Sequence, residues 1–315
     1  MRQLLAILAM PVLLLAGQTA AAQDAAADLI SSWTLLAVEK NAASSEPTRA
    51  RGARGLLILD GAGNVFEFFS TATRDEPESP QVDPQRTFDT FGGFWGRFEV
   101  DDAAGMLHFE AASGVSPSVR GLSFSRHYEV SGNRLIVTST DEPQAQGDTR
   151  WIWQRVPTVE HMTPAYREVM GFWEHVEEGR VDLTTGEMEN PRRRAPSLIV
   201  YTPGGFVGVH FPSLGREPFS SDAPSAEEAQ AGLRGYIGYF GALSVYPGEV
   251  AHNILAGISP GTGAILRRGA EISDDILTVT LQNTQAIESG NPAESATQVI
   301  LRRLSDADDM LPPAR

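Results

Sequence analysis

Hydrophobic and polar residues alternate with a period of two along most of the chain, a pattern typical of β-strands that bury one face. The first half contains such segments at 32–39, 55–60, 64–71, 93–101, 106–111, 122–130, 134–140 and 150–156. The second half contains them near 172–178, 197–202, 205–211, 236–246, 249–256, 264–272, 276–282 and 297–303. The glycine-containing turns at 60–63 and 202–205 suit antiparallel hairpins.

Eight consecutive strands joined by short turns favour a closed up-and-down barrel, because closure removes the unpaired edges of an open sheet. A barrel of this size encloses room for side chains or for one small ligand. The clearest helix is at 226–233, where Ser225 is the expected N-cap and Glu228 completes a capping box. The sequence therefore predicts an all-β fold, with two tandem eight-stranded antiparallel barrels and a short helix in the second.

The two halves of the chain also repeat one another in sequence, which supports this division. Residues 55–63 align with 197–205 at an offset of 142 residues, and His108 aligns with His252 at an offset of 144. The matching features keep their order while the offset drifts, as expected if loops change length and strands do not.

The N-terminus has the features of a secretory signal peptide. Met1-Arg2-Gln3 is a short positive segment, an apolar run extends from Leu4 to Ala16, and Ala20-Ala21-Ala22 provides the small residues that signal peptidase reads. The run is shorter than the roughly 20 residues that a membrane-spanning helix needs. We therefore expect cleavage before Gln23, export to the periplasm or the exterior, and no transmembrane span in the mature protein.

These observations divide the chain into five parts. They are a signal peptide at 1–22, a first barrel at 29–156, a linker at 157–167, a second barrel at 168–304 and a disordered tail at 305–315.

Composition narrows the functional classes. The 315 residues carry a formal net charge of −15, which argues against nucleic-acid binding because that function needs a basic surface. The chain has no cysteine, so a disulfide scaffold, a thiolate metal site and a cysteine nucleophile are excluded.

Both halves carry motifs of one family of small barrels. The second half has Trp173, the segments 198–205 (LIVYTPGG) and 236–241 (YIGYFG), His252 and Arg268. The first half has Trp33-Thr34-Leu35, Phe94-Trp95-Gly96, His108, Arg126 and Trp153-Gln154-Arg155. On these motifs the chain resembles two copies of the small lipocalin-like domains of bacteria and fungi. The resemblance implies tandem lipocalin-like barrels but no particular activity, since such barrels include binding proteins and occasional cyclases.

The segment 257–261 matches the serine-hydrolase pattern G-x-S-x-G. That motif needs a strand-to-helix elbow and a backbone N–H after the serine. Pro260 has no N–H and no helical pattern follows it, so we interpret the segment as a loop. No histidine stands in a close ligand pair such as H-E-x-x-H, and we expect neither a metal site nor a cofactor.

Polar residues at repeated positions are the first candidates for a binding site. His108 and His252 could bind a polar ligand group, or simply hydrogen-bond a neighbour inside the barrel. Arg126 and Arg268 could bind a ligand carboxylate, although a salt bridge that closes the barrel end is the simpler interpretation. His108 and Glu110 would share one face of a strand and are weak candidates for acid–base catalysis.

Aromatic residues are the second set of candidates. Alternate positions of a barrel strand face the lumen, where aromatic rings form an apolar pocket and phenolic hydroxyls orient a ligand. The residues selected on this basis are Trp95, Tyr201, Tyr236, Tyr239 and Phe240. The alternative interpretation is that they only fill the two barrels.

Together these features favour an exported protein that binds a small hydrophobic molecule in one or both barrels. One alternative is a cyclase or isomerase that folds its substrate in a single lumen, with His108 and Glu110 as the acid–base pair. A second alternative is a non-catalytic structural module of the cell envelope, which an apolar stripe on the outer surface would indicate.

Overall fold

A computed structural model describes residues 27–41, 48–50, 52–71, 83–139, 148–281 and 294–311. The predicted signal peptide lies outside these residues. Within them, the strands form two sheets, one in each half of the chain.

The first sheet consists of strands β1 to β9. They span Ser31–Lys40, Thr48–Ala50, Arg54–Leu59, Asn64–Ser70, Phe91–Asp101, Met106–Gly114, Ser123–Ser131, Arg134–Ser139 and Thr149–Arg155. Consecutive strands from β3 to β9 pair in order, and β1 pairs with both β3 and β9, so the sheet closes on itself. The short β2 pairs with residues 38–40 of β1, beyond the stretch at 31–34 that pairs with β3. β2 and β3 therefore lie end to end along the same side of β1 and count as one strand of the barrel. The nine strands thus form an eight-stranded barrel.

The second sheet repeats this plan with strands β10 to β18. They span Gly171–Asp182, Met188–Arg192, Leu198–Tyr201, Phe206–Phe211, Ile237–Tyr246, Glu249–Ser259, Ile265–Ser273, Ile276–Leu281 and Ser295–Arg303. β10 pairs with β12 and β18 to close the sheet, and the short β11 lies beside β10 as β2 lies beside β1. The two sheets confirm the prediction of tandem, closed, eight-stranded antiparallel barrels.

Short helices connect some of the strands. α1 spans Pro84–Thr90, α2 spans Pro164–Val169 and α3 spans Ala226–Leu233. α3 has the predicted capping box, and hydrogen bonds from the backbone N–H groups of Ser220 and Ser225 lower the pKa of Glu228 to about 2. Among the described residues, no helix is long and apolar enough to cross a membrane.

The same tryptophan–arginine contact recurs in both barrels. The indole N–H of Trp33 donates to the Leu29 carbonyl, and the Arg155 guanidinium lies 4.3 Å from the centre of the Trp33 ring. In the second barrel the Arg303 guanidinium lies 4.0 Å from the ring of Trp173, whose indole donates to the carbonyl of Val169. A cation over an indole face is favourable when partly desolvated, so this contact stabilises one end of each barrel.

The barrels pack against each other through their outer faces. An apolar cluster at this interface contains Leu56, Ile58, Phe66, Phe68, Phe91, Trp95 and Val115 from the first half, and Phe172, Leu198, Val200, Tyr236, Phe240, Ala256, Ile258 and Met310 from the second. The close approach of the two barrels requires a glycine at position 208, because a Cβ atom there would lie 2.5 Å from carbons of the Phe66 ring. The interface is therefore a third core, separate from the two barrel interiors.

The start of the predicted disordered tail belongs to this packed structure, so the prediction is wrong for residues 305–311. The side chain of Ser305 accepts a hydrogen bond from the Phe172 N–H, and the Asp309 carbonyl accepts one from the Gly61 N–H. Met310 is buried at the interface. Residues 312–315 lie outside the described part of the chain.

Candidate functional site

The first barrel contains a cavity of about 780 Å³, within the usual size range of small-molecule sites. Its apolar wall consists of Val38, Phe69, Phe94, Val119, Leu122, Phe124 and Trp151. Five charged residues also line it, and two of them, Glu67 and Arg126, are buried; the other three are Lys40, Asp89 and Asp222.

Glu67 on β4 and Arg126 on β7 form an ion pair inside the barrel. Arg126 Nη1 lies 2.5 Å from Glu67 Oε2, and both side chains are almost completely buried. The guanidinium also lies 4.4 Å from the centre of the Trp151 ring and 5.3 Å from that of Phe124. A carboxylate and aromatic faces thus replace the water that the cation loses on burial. The predicted salt bridge of Arg126 is present, but its partner was not identified from the sequence.

The mouth of the cavity is built from both halves of the chain. Phe88 of α1 packs edge-to-face on Phe219, with ring centres 4.8 Å apart. The Gln85 side chain donates to the Pro224 carbonyl, and the Phe219 N–H donates to Ser118 Oγ. The segment 219–224 of the second half therefore covers the opening of the first barrel.

The second barrel has a different polar interior, formed by predicted site residues. The Tyr239 hydroxyl lies 2.9 Å from His252 Nδ1, and the Tyr201 ring centre lies 5.6 Å from that of His252. All three side chains are buried. Burial, reinforced by the charge of the nearby Arg268, lowers the pKa of His252 to about 3, so the imidazole is neutral at physiological pH. Burial raises the pKa values of both tyrosines.

A second set of ion pairs surrounds the buried carboxylate of Glu178 on β10. Glu178 accepts hydrogen bonds from Arg192 Nε at 2.7 Å and from Arg194 Nε at 2.8 Å. Burial opposes ionisation of Glu178, but the two arginines outweigh it and hold the pKa of Glu178 below its usual value. Glu178 pairs with Val299 as Val38 pairs with Trp151. The second barrel therefore has an ion-paired glutamate at the position where the first barrel has Val38, a residue of the apolar cavity wall.

His108 and Glu110 do not lie in the lumen of the first barrel, and that prediction is wrong. On β6 the neighbouring Leu107 and Phe109 face the interior, whereas His108 and Glu110 are exposed. His108 Nδ1 contacts Ser125 Oγ at 2.7 Å on the outer surface. The strand register makes Phe109, not His108, the counterpart of His252.

Trp95, Tyr236 and Phe240 are also outside the lumens, contrary to the prediction. All three belong to the apolar cluster between the barrels. The Trp95 indole N–H donates to the Pro196 carbonyl of the other half, at 3.2 Å. These side chains hold the barrels together and do not line the cavity of the first.

His210 is a buried polar residue that the sequence reasoning missed. Its Nδ1 lies 2.5 Å from the Tyr236 hydroxyl, and its Nε2 lies 3.0 Å from the Glu67 carbonyl oxygen across the interface. Burial lowers the pKa of His210 to about 4. A neutral ring can donate from Nε2 and accept at Nδ1, which satisfies both contacts.

The G-x-S-x-G segment does not have the geometry that a serine nucleophile needs. Ser259 ends β15 and the strand β16 follows, so the G-x-S-x-G segment forms no strand-to-helix elbow. Across the residues that the structure describes, no group of three or more His, Cys, Asp or Glu side chains could hold a metal ion.

Comparison with known proteins bears on the fold. Residues 170–304 match the family model of the lipocalin-like domain, and no curated protein matches the sequence. A solved protein of unknown function from the DUF3598 family of Nostoc punctiforme is 12% identical, with 90% of this chain and 98% of that chain covered and a TM-score of 0.20. The hemagglutinin of Myxococcus xanthus, solved in complex with a mannopentaose, is 13% identical, with 86% and 100% covered and a TM-score of 0.24. At such values neither structure supports an inference about function.

The family match covers the second barrel, and the first barrel repeats its strand order, its closure and its tryptophan–arginine contact. The second barrel is therefore a lipocalin-like domain, and the first barrel repeats its architecture.

Proposed function

We propose that the first barrel binds one small amphipathic molecule in the cavity that contains the Glu67–Arg126 ion pair. The observation that carries this proposal is a cavity of about 780 Å³ with an aromatic wall and one buried ion pair. Ligand sites typically combine a mostly apolar lining with a few polar groups that orient the ligand.

The walls favour a ligand with a flat or aromatic body. Phe94, Phe124 and Trp151 present ring faces and edges to the cavity, and they are held by their own packing: Phe94 and Phe124 lie edge-to-face with ring centres 5.0 Å apart. Rigid aromatic walls lose little conformational entropy when a ligand binds. Contacts between these rings and an aromatic ligand are also more favourable than the burial of apolar surface alone.

The sequence favours a hydrophobic ligand, but the buried ion pair favours an amphipathic one. A purely apolar molecule placed against Glu67 and Arg126 would leave charged groups without compensating contacts, which is unfavourable. A ligand with a hydroxyl, amide or carboxylate at one end can hydrogen-bond there instead. The ion pair therefore selects the orientation of the ligand.

The shared mouth couples binding to the pairing of the barrels. Since α1 from the first half and the segment 219–224 from the second cover the same opening, a ligand in the cavity would contact both. A ligand that binds only the docked arrangement stabilises that arrangement.

We also infer that the chain is exported, because its first 22 residues have the features of a signal peptide. Export is tested by N-terminal sequencing of the protein from the periplasm and the medium of a bacterial host. A mature N-terminus at Gln23 supports it, and an intact Met1 on cytoplasmic protein contradicts it.

The binding function is tested by native mass spectrometry of the full chain, followed by denaturing extraction. The protein is first incubated with a panel of phenols and aromatic amides, which carry no carboxylate. We expect one retained molecule per chain, released on denaturation, and weaker retention by an Arg126→Leu variant. No retained mass for any member of the panel would contradict the proposal.

A further inference from the structure

The two barrel interiors differ at one matched position. Glu67 pairs with Phe94 between β4 and β5, and Val209 pairs with Tyr239 between β13 and β14. The same registers place Glu67 and Val209 at equivalent inward positions. The second barrel thus has valine where the first has its buried carboxylate.

The arginine that this carboxylate neutralises is nevertheless kept in both barrels. Arg126 pairs with Leu107 and Arg268 with Val250, and both partners belong to their barrel cores. Residues directly opposite each other on neighbouring strands share a face, so Arg268 lies at an inward position. It is only partly exposed, and its Nη1 donates to the Arg267 carbonyl at 3.1 Å.

Arg268 has no ion-pair partner among the described residues. The buried carboxylate of this barrel, Glu178, is already bound by Arg192 and Arg194. The second barrel therefore has a cation at an inward strand position without the anion that accompanies it in the first.

Two further polar atoms point into the same interior. The Tyr201 hydroxyl and His252 Nε2 are buried and have no hydrogen-bond partner among the described residues. A neutral imidazole whose Nδ1 accepts a hydrogen bond from Tyr239 carries its hydrogen on Nε2. A buried polar group without a partner is costly, so these atoms indicate a missing hydrogen-bond acceptor.

We propose that the second barrel is a separate binding site for a small carboxylate. The Arg268 guanidinium, the His252 Nε2–H and the Tyr201 O–H form a set of donors, which suits an anion with two oxygen atoms. The carboxylate of the ligand takes the role that the Glu67 side chain has in the first barrel. The two barrels then bind different molecules, an amphipathic one in the first and a small anion in the second.

The test uses the full chain with ¹⁵N-labelled histidine and acetate or benzoate as the probe. Benzyl alcohol serves as the uncharged control. The His252 Nε2 resonance is assigned by its loss in a His252→Gln variant. We expect acetate or benzoate to shift this resonance and benzyl alcohol to leave it unchanged. An Arg268→Leu variant should bind the carboxylate about tenfold more weakly or worse, because a charge-assisted hydrogen bond is lost.

A Val209→Glu variant provides the sharper test, since it supplies the internal carboxylate that the first barrel already has. We expect it to fold with an undiminished melting temperature and to lose acetate and benzoate binding, whereas Val209→Gln keeps part of it. An unshifted His252 resonance in the wild type at saturating carboxylate would overturn the proposal, as would equal binding by wild type and Arg268→Leu. A Leu122→Trp variant, altered only in the cavity of the first barrel, should bind the carboxylate like the wild type, which separates this site from the function proposed for the first barrel.

Discussion

The Glu67 carbonyl oxygen accepts a hydrogen bond from His210 Nε2 at 3.0 Å, while the Glu67 carboxylate binds Arg126 at 2.5 Å. One residue of β4 therefore contacts the second barrel through its backbone and the candidate ligand cavity through its side chain. Because a strand alternates its side chains between faces, the neighbours Phe66 and Phe68 pack in the interface while Glu67 points inward. The interface and the cavity are thus the two faces of one strand.

The buried ion pair predicts strongly non-additive mutations. Glu67→Val and Arg126→Leu, made singly, each leave an uncompensated buried charge and should each destabilise the chain by about 3 kcal/mol or more. The double variant removes both charges, so its loss should be smaller than the sum of the two single losses by at least about 1 kcal/mol. Urea unfolding of the four proteins measures this coupling, and additive losses would contradict a direct pairing.

His210 predicts a pH dependence of stability. Burial lowers the pKa of His210 to about 4 in the folded chain, whereas an unfolded histidine titrates near 6.5. Between these pH values the unfolded state binds a proton at His210 and the folded state does not. The free energy of unfolding therefore keeps the full contribution of His210 above pH ~6.5 and falls as the pH drops toward ~4. In this range the free energy of unfolding falls by up to about 1.4 kcal/mol per pH unit because of His210.

The measurement is urea unfolding at several pH values between neutral and acidic, comparing wild type, His210→Asn and His108→Asn. His108 is exposed, so its variant is the matched control and should keep the wild-type slope. The His210→Asn variant should show a shallower slope. If all three proteins lose stability equally with falling pH, His210 is not buried as described.

The fold could be predicted from the sequence, but the orientation of individual side chains could not. Strand periodicity and the internal repeat determine two barrels, and Ser225 with Glu228 determines the helix cap. The alignment of His108 with His252 was wrong by one residue. The first hairpin has four residues between β5 and β6, at 102–105, and its counterpart has two, at 247–248. A slip of one residue in a strand moves a side chain to the opposite face.

The interface explains the other errors. Strands β5 and β14 are buried on both faces at residues 94–96 and 238–241, so the alternation of polar and apolar residues that identifies an inward face is absent there. Trp95 and Phe240 were therefore assigned to the lumens although they lie between the barrels. Glu67 was overlooked because it stands between two phenylalanines in an otherwise apolar strand, yet a charged residue in such a run is itself a signal, since buried charges are paired.

The Tyr236–His210 contact predicts a measurable cost for removing one hydroxyl. Tyr236→Phe leaves His210 Nδ1 buried without its partner, which should destabilise the chain by about 1–3 kcal/mol. Tyr246 is 51% exposed, so Tyr246→Phe is the matched control and should change stability by less than about 0.5 kcal/mol. Equal free energies of unfolding for the two variants would show that the hydroxyl contributes nothing to the interface.

Gly208 predicts a steric effect across the interface. A Cβ atom at this position would lie 2.5 Å from carbons of the Phe66 ring, so Gly208→Ala should destabilise the chain by about 1–3 kcal/mol through overpacking. Phe66→Leu should partly restore stability when it is combined with Gly208→Ala, although alone it removes buried apolar surface. Chemical unfolding of the single and double variants tests this, and the absence of any rescue would contradict direct contact between the two sites.

The proposed binding cavity of the first barrel is tested most directly by titrating the full chain with the amphipathic aromatic probe 2-naphthol and following its fluorescence. Three proteins of matched composition are compared: wild type, Leu122→Trp in the cavity wall, and Leu36→Trp on the outer surface, where Leu36 is 52% exposed. With all three folded by circular dichroism, we predict one bound probe per chain for wild type and Leu36→Trp, and affinity about tenfold lower or worse for Leu122→Trp. Equal affinity in all three proteins would contradict binding in this cavity.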